Sequence, residues 1–243
     1  MTHVILVPGF WLDGPSWGEV ITSLEAAGHD VEALTLPGKE SAAADRAGIG
    51  VEQHIAAIVE RIDAAPEPVV LVGHSGGGLL ISGAADRRPD RVERTIYVDA
   101  GPMGEGSVVN DELPVEGADV PFPGWEAFEE GELTDMTPEV RARFEEIAVP
   151  EPAGVANDTL HVSDERRYDV PTTVITTSFP REMLEQMLAG GHPYLAELAA
   201  MHDHEILELP TGHWPQLTKP KELALFIVGA VEGRGGAGQV VVG

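Results

Sequence analysis

Short apolar runs alternating with helix-period stretches constrain this chain more than any other feature. Val4–Val7 is continuous and apolar and ends in Pro8-Gly9, the pattern of a strand buried on both faces. Ser16–Ala27 follows as a helix, with Trp17, Val20, Ile21 and Leu24 on one face and Gly28 as its stop. The rhythm then repeats: a strand over Val31–Leu36, a helix over Val51–Ala64 with Ile55, Ile58, Val59 and Ile62 in register, a strand over Val69–Val72, a helix over Gly76–Arg87 and a strand over Thr95–Val98. Strands alternating with helices require parallel pairing through right-handed crossovers. The expected class is therefore α/β, with a mostly parallel, doubly wound sheet.

The rhythm breaks over residues 101–169, which are rich in Pro, Gly, Asp and Glu, with helical patterns only near Trp125–Glu130 and Pro138–Ile147. A structureless loop of that length is unusual inside a compact domain, so this stretch reads as a small lid inserted after the strand that ends at Asp99. Thr172–Thr177 reads as a strand, Arg181–Met201 as helical, Glu205–Leu209 as a last strand and Lys219–Glu232 as a last helix. The expected organisation is a core of residues 1–100 and 170–232, a lid over 101–169 and a Gly-rich, flexible tail over 233–243. A length of 243 residues suits one such domain.

Asp and Glu number 41 against 15 Lys and Arg, a net charge of −26. So acidic a surface repels phosphate backbones and anionic membranes, which argues against a nucleic-acid or membrane partner. No apolar run approaches the roughly 20 residues that span a bilayer. The chain has no Cys, which excludes a disulfide scaffold, a thiolate metal site and a Cys nucleophile. Met1–Gly9 carries no basic stretch and reads as a strand rather than an export signal, so a cytoplasmic location is expected. The expected partner is a small-molecule substrate, with the chain a monomer or homodimer and no cofactor or metal.

The segment Gly73-His74-Ser75-Gly76-Gly77 carries the G-x-S-x-G pattern, with four apolar β-formers before it and a helical pattern after it. The chemistry needs a sharp strand-to-helix turn that holds the Ser75 hydroxyl outward. Side chains two residues to either side would clash in such a turn, which calls for glycine. The Gly76 N–H would open the helix, where unpaired donors and the dipole favour a developing oxyanion. Neither dinucleotide-binding nor P-loop spacing is present, which weakens the alternative of a phosphate-binding glycine turn.

A serine hydroxyl needs a base. His213, in Thr211-Gly212-His213-Trp214, lies just past the last strand, on the sheet edge where sites of open α/β sheets gather. His74 adjoins the nucleophile and points away from it. His202 and His204 form a His-x-His pair that has no third ligand visible in sequence. For the acid, chain order around a G-x-S-x-G serine runs Ser, Asp or Glu, His. Asp99 ends the strand after the nucleophile helix. Thr176-Thr177-Ser178-Phe179-Pro180, after the next strand, offers no Asp, and Glu182 beyond it also has a helix-start explanation. Asp99 is preferred over Glu182.

With these segments in order, namely Val7-Pro8-Gly9-Phe10-Trp11, Leu36-Pro37-Gly38, Gly73–Gly77 and Gly212-His213-Trp214, the chain resembles the α/β-hydrolase superfamily over nearly its full length. It is most similar to compact members such as small esterases, plant methylesterases and hydroxynitrile lyases. The resemblance implies a second oxyanion donor after the first strand, the N–H of Phe10. Two departures stand out. Pro8 replaces the usual His, and the usual Asp after the penultimate strand is missing. In some haloalkane dehalogenases and other relatives the acid follows the earlier strand, a position matched by Asp99. Dehalogenase chemistry itself uses an Asp nucleophile where this chain has Ser75.

The leading expectation is hydrolysis of a carboxylic ester or lactone of a small, neutral to apolar substrate through an acyl-enzyme, with Trp11, Met103, Trp125, Phe128 and Trp214 either lining an apolar pocket or packing the lid. The alternatives are lyase or C–C bond hydrolase chemistry on the same residues, and a non-catalytic ligand-binding member.

Overall fold

The computed structural model describes residues 1–233, so all of the expected tail except Gly233 lies outside the described residues. In chain order the elements are β1 (His3–Val7), α1 (Gly18–Ala26), β2 (Asp30–Ala33), α2 (Val51–Ala64), β3 (Val69–His74), α3 (Gly76–Arg87) and β4 (Val92–Val98). The inserted segment holds β5 (Asp119–Val120), α4 (Pro138–Ile147), β6 (Glu151–Pro152) and α5 (Ala153–Asn157). Then come β7 (Thr172–Thr176), α6 (Arg181–Ala189), α7 (Ala196–Ala200), β8 (His204–Glu208), α8 (Pro215–Thr218) and α9 (Pro220–Val231).

Six strands form one all-parallel sheet in the order β2-β1-β3-β4-β7-β8. Strand periodicity divides its apolar residues between two layers. Val4, Leu6, Val70, Val72, Ile96 and Val98 face α1 and α9, where they meet Trp17, Leu24, Leu223 and Ile227. Ile5, Val7, Leu71 and Tyr97 face the opposite way, towards Ile55 and Ile58 of α2 and Leu80 and Ala84 of α3. Both faces are covered, which is why the strands read as continuous apolar runs.

Residues 101–169 are not a loop. Phe144, Val155 and Leu160 are fully buried and belong to the same core as Ile55 and Trp214. β5 and β6 pair antiparallel, with Val120 opposite Glu151. The helix expected over Pro138–Ile147 is present, started by the Thr137 side chain accepting the Val140 N–H. The Trp125–Glu130 pattern is only a 3₁₀ turn, Trp125–Ala127.

Other differences have local causes. The single helix expected over Arg181–Met201 is broken, because Gly191 takes φ +67° and Pro193 starts a separate 3₁₀ turn before α7. β2 ends at Ala33, before the expected Leu36. It is an edge strand held only by β1, and the last bond on that side is from the Leu34 N–H to the Leu6 carbonyl (2.9 Å). No helix of the described residues is long and apolar enough to cross a membrane.

Phe144 joins the inserted segment to the core, its ring centroid 4.9 Å from Phe122, 5.1 Å from Trp125 and 5.4 Å from Trp214. Truncation there leaves a cavity that the surrounding rings fill only in part. Phe144→Ala is expected to destabilise the chain by about 3–5 kcal/mol, read from the shift of a urea unfolding curve at constant slope.

Candidate active site

Ser75 stands between β3 and α3 at φ +51°, a left-handed conformation uncommon for a residue with a side chain. The flanking glycines permit it. A Cβ on Gly73 would come within 2.6 Å of the Gly77 carbonyl oxygen, and one on Gly77 within 2.7 Å of the Val7 carbonyl oxygen. The motif glycines are therefore required by close backbone approach, as the sequence implied.

The Ser75 Oγ lies 2.8 Å from His213 Nε2, and His213 Nδ1 lies 2.6 Å from Asp99 Oδ2. An ionised carboxylate can only accept, so Nδ1 carries the proton and Nε2 presents a lone pair to the Ser75 hydroxyl. Asp99 has φ +45° and takes four hydrogen bonds. The N–H groups of Thr177 and Ser178 donate to Oδ1 at 2.9 and 3.0 Å, and the Ser178 hydroxyl joins His213 on Oδ2 at 2.7 Å. Burial by itself would raise the Asp99 carboxyl. The bond and charge of His213, with the Ser178 donors, outweigh it and hold the carboxyl well below the usual carboxylate range.

Glu182 lies apart, exposed on the first turn of α6, where it accepts from the Gln186 side chain. The loop after β7 therefore contributes donors where an acid is usual. Nothing in the sequence marks Thr177 and Ser178 as these donors, because their acceptor lies 78 and 79 positions away. His74 is fully buried, and burial, then the neighbouring His213, pushes its imidazole down to about 3. Kept neutral, it donates from Nε2 to the His213 carbonyl at 2.6 Å and accepts at Nδ1 from Gln216 at 3.2 Å. It thus braces the main chain of the histidine loop. The inserted segment grips the same loop: the Gly212 and His213 N–H groups donate to the carbonyls of Thr134 and Glu132 at 3.0 and 2.8 Å.

A cleft of about 270 Å³ opens over Ser75 and His213, lined also by Leu79, Met103, Val109, Phe179, Tyr194 and Glu132. Met103 thus takes the first of its two expected places, on the pocket wall. Trp11, Trp125, Phe128 and Trp214 do not line the cleft. They form an edge-on aromatic cluster with Phe122 and Phe144, with Trp125 and Phe128 at 5.6 and 5.0 Å from Trp214. Large rings gain more from burial against one another than from facing water, so they weld the inserted segment to the core. The Phe10 ring packs on Gly76, where an added Cβ would meet it at 2.8 Å. Among the described residues, neither the Phe10 nor the Gly76 N–H has an acceptor. His202 and His204 bond separate partners, Asp169 and the Met201 carbonyl. No group of three or more potential metal ligands occurs among the described residues.

A model of the alpha/beta hydrolase family matches residues 4–224. The chain belongs to that family. This α/β hydrolase is 37% identical over 103 residues to Esterase PIR7B of Oryza sativa subsp. japonica, and 34% identical over 102 residues to a carbendazim hydrolyzing esterase of Nocardioides sp. (strain SG-4G). Those stretches are 40% and 41% of this chain and only 38% and 42% of the relatives, so the match spans less than half of their length. Among solved structures, an extracellular α/β-hydrolase from a Paenibacillus species has a TM-score of 0.75 at 22% identity, covering 95% of this chain and 99% of its own. A methylesterase from Arabidopsis has a TM-score of 0.72 at 19% identity, covering 96% and 100%. At these identities the structural likeness is one of fold.

The depressed Asp99 carboxyl has a consequence for acid stability. Its contribution is fully present above the unfolded value of about 3.9 and is lost as pH falls through the lower folded value. Removing a donor raises the folded value and shrinks that contribution. Ser178→Ala is expected to move the Asp99 titration midpoint upward, read from its carboxyl ¹³C shift, and to leave less stability to lose on acidification below pH about 4.

Proposed function

We propose that this α/β hydrolase cleaves carboxylic esters or lactones of small, neutral to apolar substrates by way of an acyl-enzyme. The observation that carries the reading is the continuous line from Ser75 Oγ through His213 to Asp99, with separations of 2.8 and 2.6 Å. On this reading His213 Nε2 takes the Ser75 proton as Oγ attacks the substrate carbonyl carbon. The tetrahedral oxyanion is received by the free N–H groups of Gly76 and Phe10. Collapse breaks the ester bond, and the leaving alkoxide takes the proton from His213. Water, deprotonated by the same Nε2, then releases the acid and restores Ser75. Asp99 keeps the imidazole in the required tautomer and stabilises its cation.

The names of the relatives, esterases and methylesterases among them, agree with this chemistry. The substrate class follows from the lining. Leu79, Met103, Val109, Phe179 and Tyr194 give apolar walls, while the acidic groups at the cleft, Asp99 and Glu132, disfavour an anionic substrate.

With p-nitrophenyl acetate and butyrate, the wild-type chain is expected to turn over and to take a fluorophosphonate label that Ser75→Ala abolishes. Asp99→Asn should lower kcat by about 10³–10⁴-fold, since the amide donates to Nδ1 and imposes the wrong tautomer. Absence of both turnover and label in the wild-type chain sinks the proposal. A panel in which cyanohydrins are cleaved and esters are not would favour the lyase alternative.

A further inference from the structure

Against the first loop lies a buried ion pair for which the proposed chemistry has no use. Lys39 and Glu151 are almost fully buried and bonded to each other. Charges at such depth are costly to desolvate, so their retention points to a structural or positional task. The same Glu151 oxygen, Oε2, accepts the backbone N–H of Trp11 at 3.3 Å.

Trp11 has a strained backbone. Its φ is +62°, where a bulky side chain is a genuine outlier. It sits third in a turn closed by the Leu12 N–H on the Gly9 carbonyl (3.4 Å), a position that ordinarily calls for glycine. Such strain persists only where the surroundings over-determine it. Here one small element does so. The Val149 N–H donates to the Trp11 carbonyl (2.9 Å), the Trp11 indole N–H donates to the Val120 carbonyl (3.1 Å), and Glu151, opposite Val120 in the β5–β6 pair, accepts the Trp11 N–H.

The strained turn contains the free Phe10 N–H. Its Gly9–Phe10 peptide carries the carbonyl that closes the turn, and the next peptide ends in the N–H that Glu151 holds. We propose that Glu151, fixed by Lys39, is a positioning residue: it holds the Trp11 turn so that the Phe10 N–H faces the substrate oxyanion. This inference rests on the ester-hydrolase reading above. The inserted segment thereby contributes to rate through the main chain of the first loop, without touching substrate.

The test compares variants on p-nitrophenyl butyrate, alongside inhibition by phenylboronic acid, whose tetrahedral adduct mimics the oxyanion state. Lys39→Met with Glu151→Leu removes both charges and the acceptor, and is expected to lower kcat about 10–100-fold and weaken boronate binding in parallel, with KM little changed. Lys39→Met with Glu151→Gln keeps an oxygen for the Trp11 N–H and should restore most of the loss. Glu151→Asp keeps the charge for Lys39 but draws the carboxylate back from Trp11. It should lower kcat and speed amide exchange at Trp11, and it serves if the apolar pair fails to fold. A folded Lys39→Met, Glu151→Leu variant with wild-type kcat, or a Lys39→Met, Glu151→Gln variant as impaired as that one, overturns the assignment. So does a Glu151→Asp variant with unchanged kcat and exchange. Loss of turnover in the wild-type chain instead defeats the ester reading, and exchange at Trp11 then still decides whether Glu151 holds the turn.

Discussion

The sheet's hydrogen-bond ladder does not stop where the strands stop, and the arrangement of the site depends on that continuation. The Ser75 N–H donates to the Val98 carbonyl at 3.1 Å, and the Asp99 N–H to the Ile175 carbonyl at 2.8 Å. The Leu209 N–H reaches Thr176 at 3.0 Å, and the Thr211 N–H reaches Thr177 at 3.3 Å. Each bond ties the residues just beyond one parallel strand to the neighbouring strand or to the residue that follows it. Three side chains separated by up to 138 positions are thereby brought to one edge in a fixed register. Parallel pairing aims every carboxyl end the same way, so the convergence of Ser75, Asp99 and His213 follows from topology before any side chain meets another.

This explains why the core and the convergence of Ser75, Asp99 and His213 were legible in the sequence. Continuous apolar runs such as Val69–Val72 report burial on both faces, and their ends mark the functional edge. The helices over Val51–Ala64, Gly76–Arg87 and Pro138–Ile147 carry helical period or caps strong enough to fix both ends. The choice of Asp99 over Glu182 could be made because chain order and strand ends are both visible in one dimension. What could not be read is anything decided by contact between segments far apart in sequence. The donors of Thr177 and Ser178 look like loop residues until Asp99 is seen beside them. Lys39 and Glu151, 112 positions apart, each look like exposed charges in an acidic chain.

The aromatic residues show the same limit from the other side. In the sequence, Trp11, Trp125, Phe128 and Trp214 could equally line a pocket or pack the inserted segment. A ring can satisfy its surface against other rings, and six of them meet where the inserted segment crosses the core. The cleft is left to mid-sized side chains and to two exposed rings, Phe179 and Tyr194. One set of aromatics thus fixes the cover over the sheet edge, and a separate pair is available at the opening.

Backbone strain is distributed in a way that ties these layers together. Four non-glycine residues among those described have positive φ: Trp11, Ser75, Asp99 and Asp135. Ser75 and Asp99 belong to the proposed relay. Asp135 accepts the Thr211 hydroxyl at 2.9 Å, beside the carbonyls that hold the histidine loop, and Trp11 adjoins the free Phe10 N–H. Each such conformation costs of order 1–3 kcal/mol and survives only under specific restraint. The inserted segment restrains Trp11 through Glu151, Val149 and Val120, and through Glu132, Thr134 and Asp135 it shares the histidine loop with His74 and Thr177. A sheet alone would deliver the three side chains to the edge. The turn at Ser75 is set by its glycines and Asp99 by Thr177 and Ser178, while the added segment, packed into the core, reaches the Trp11 turn and the histidine loop.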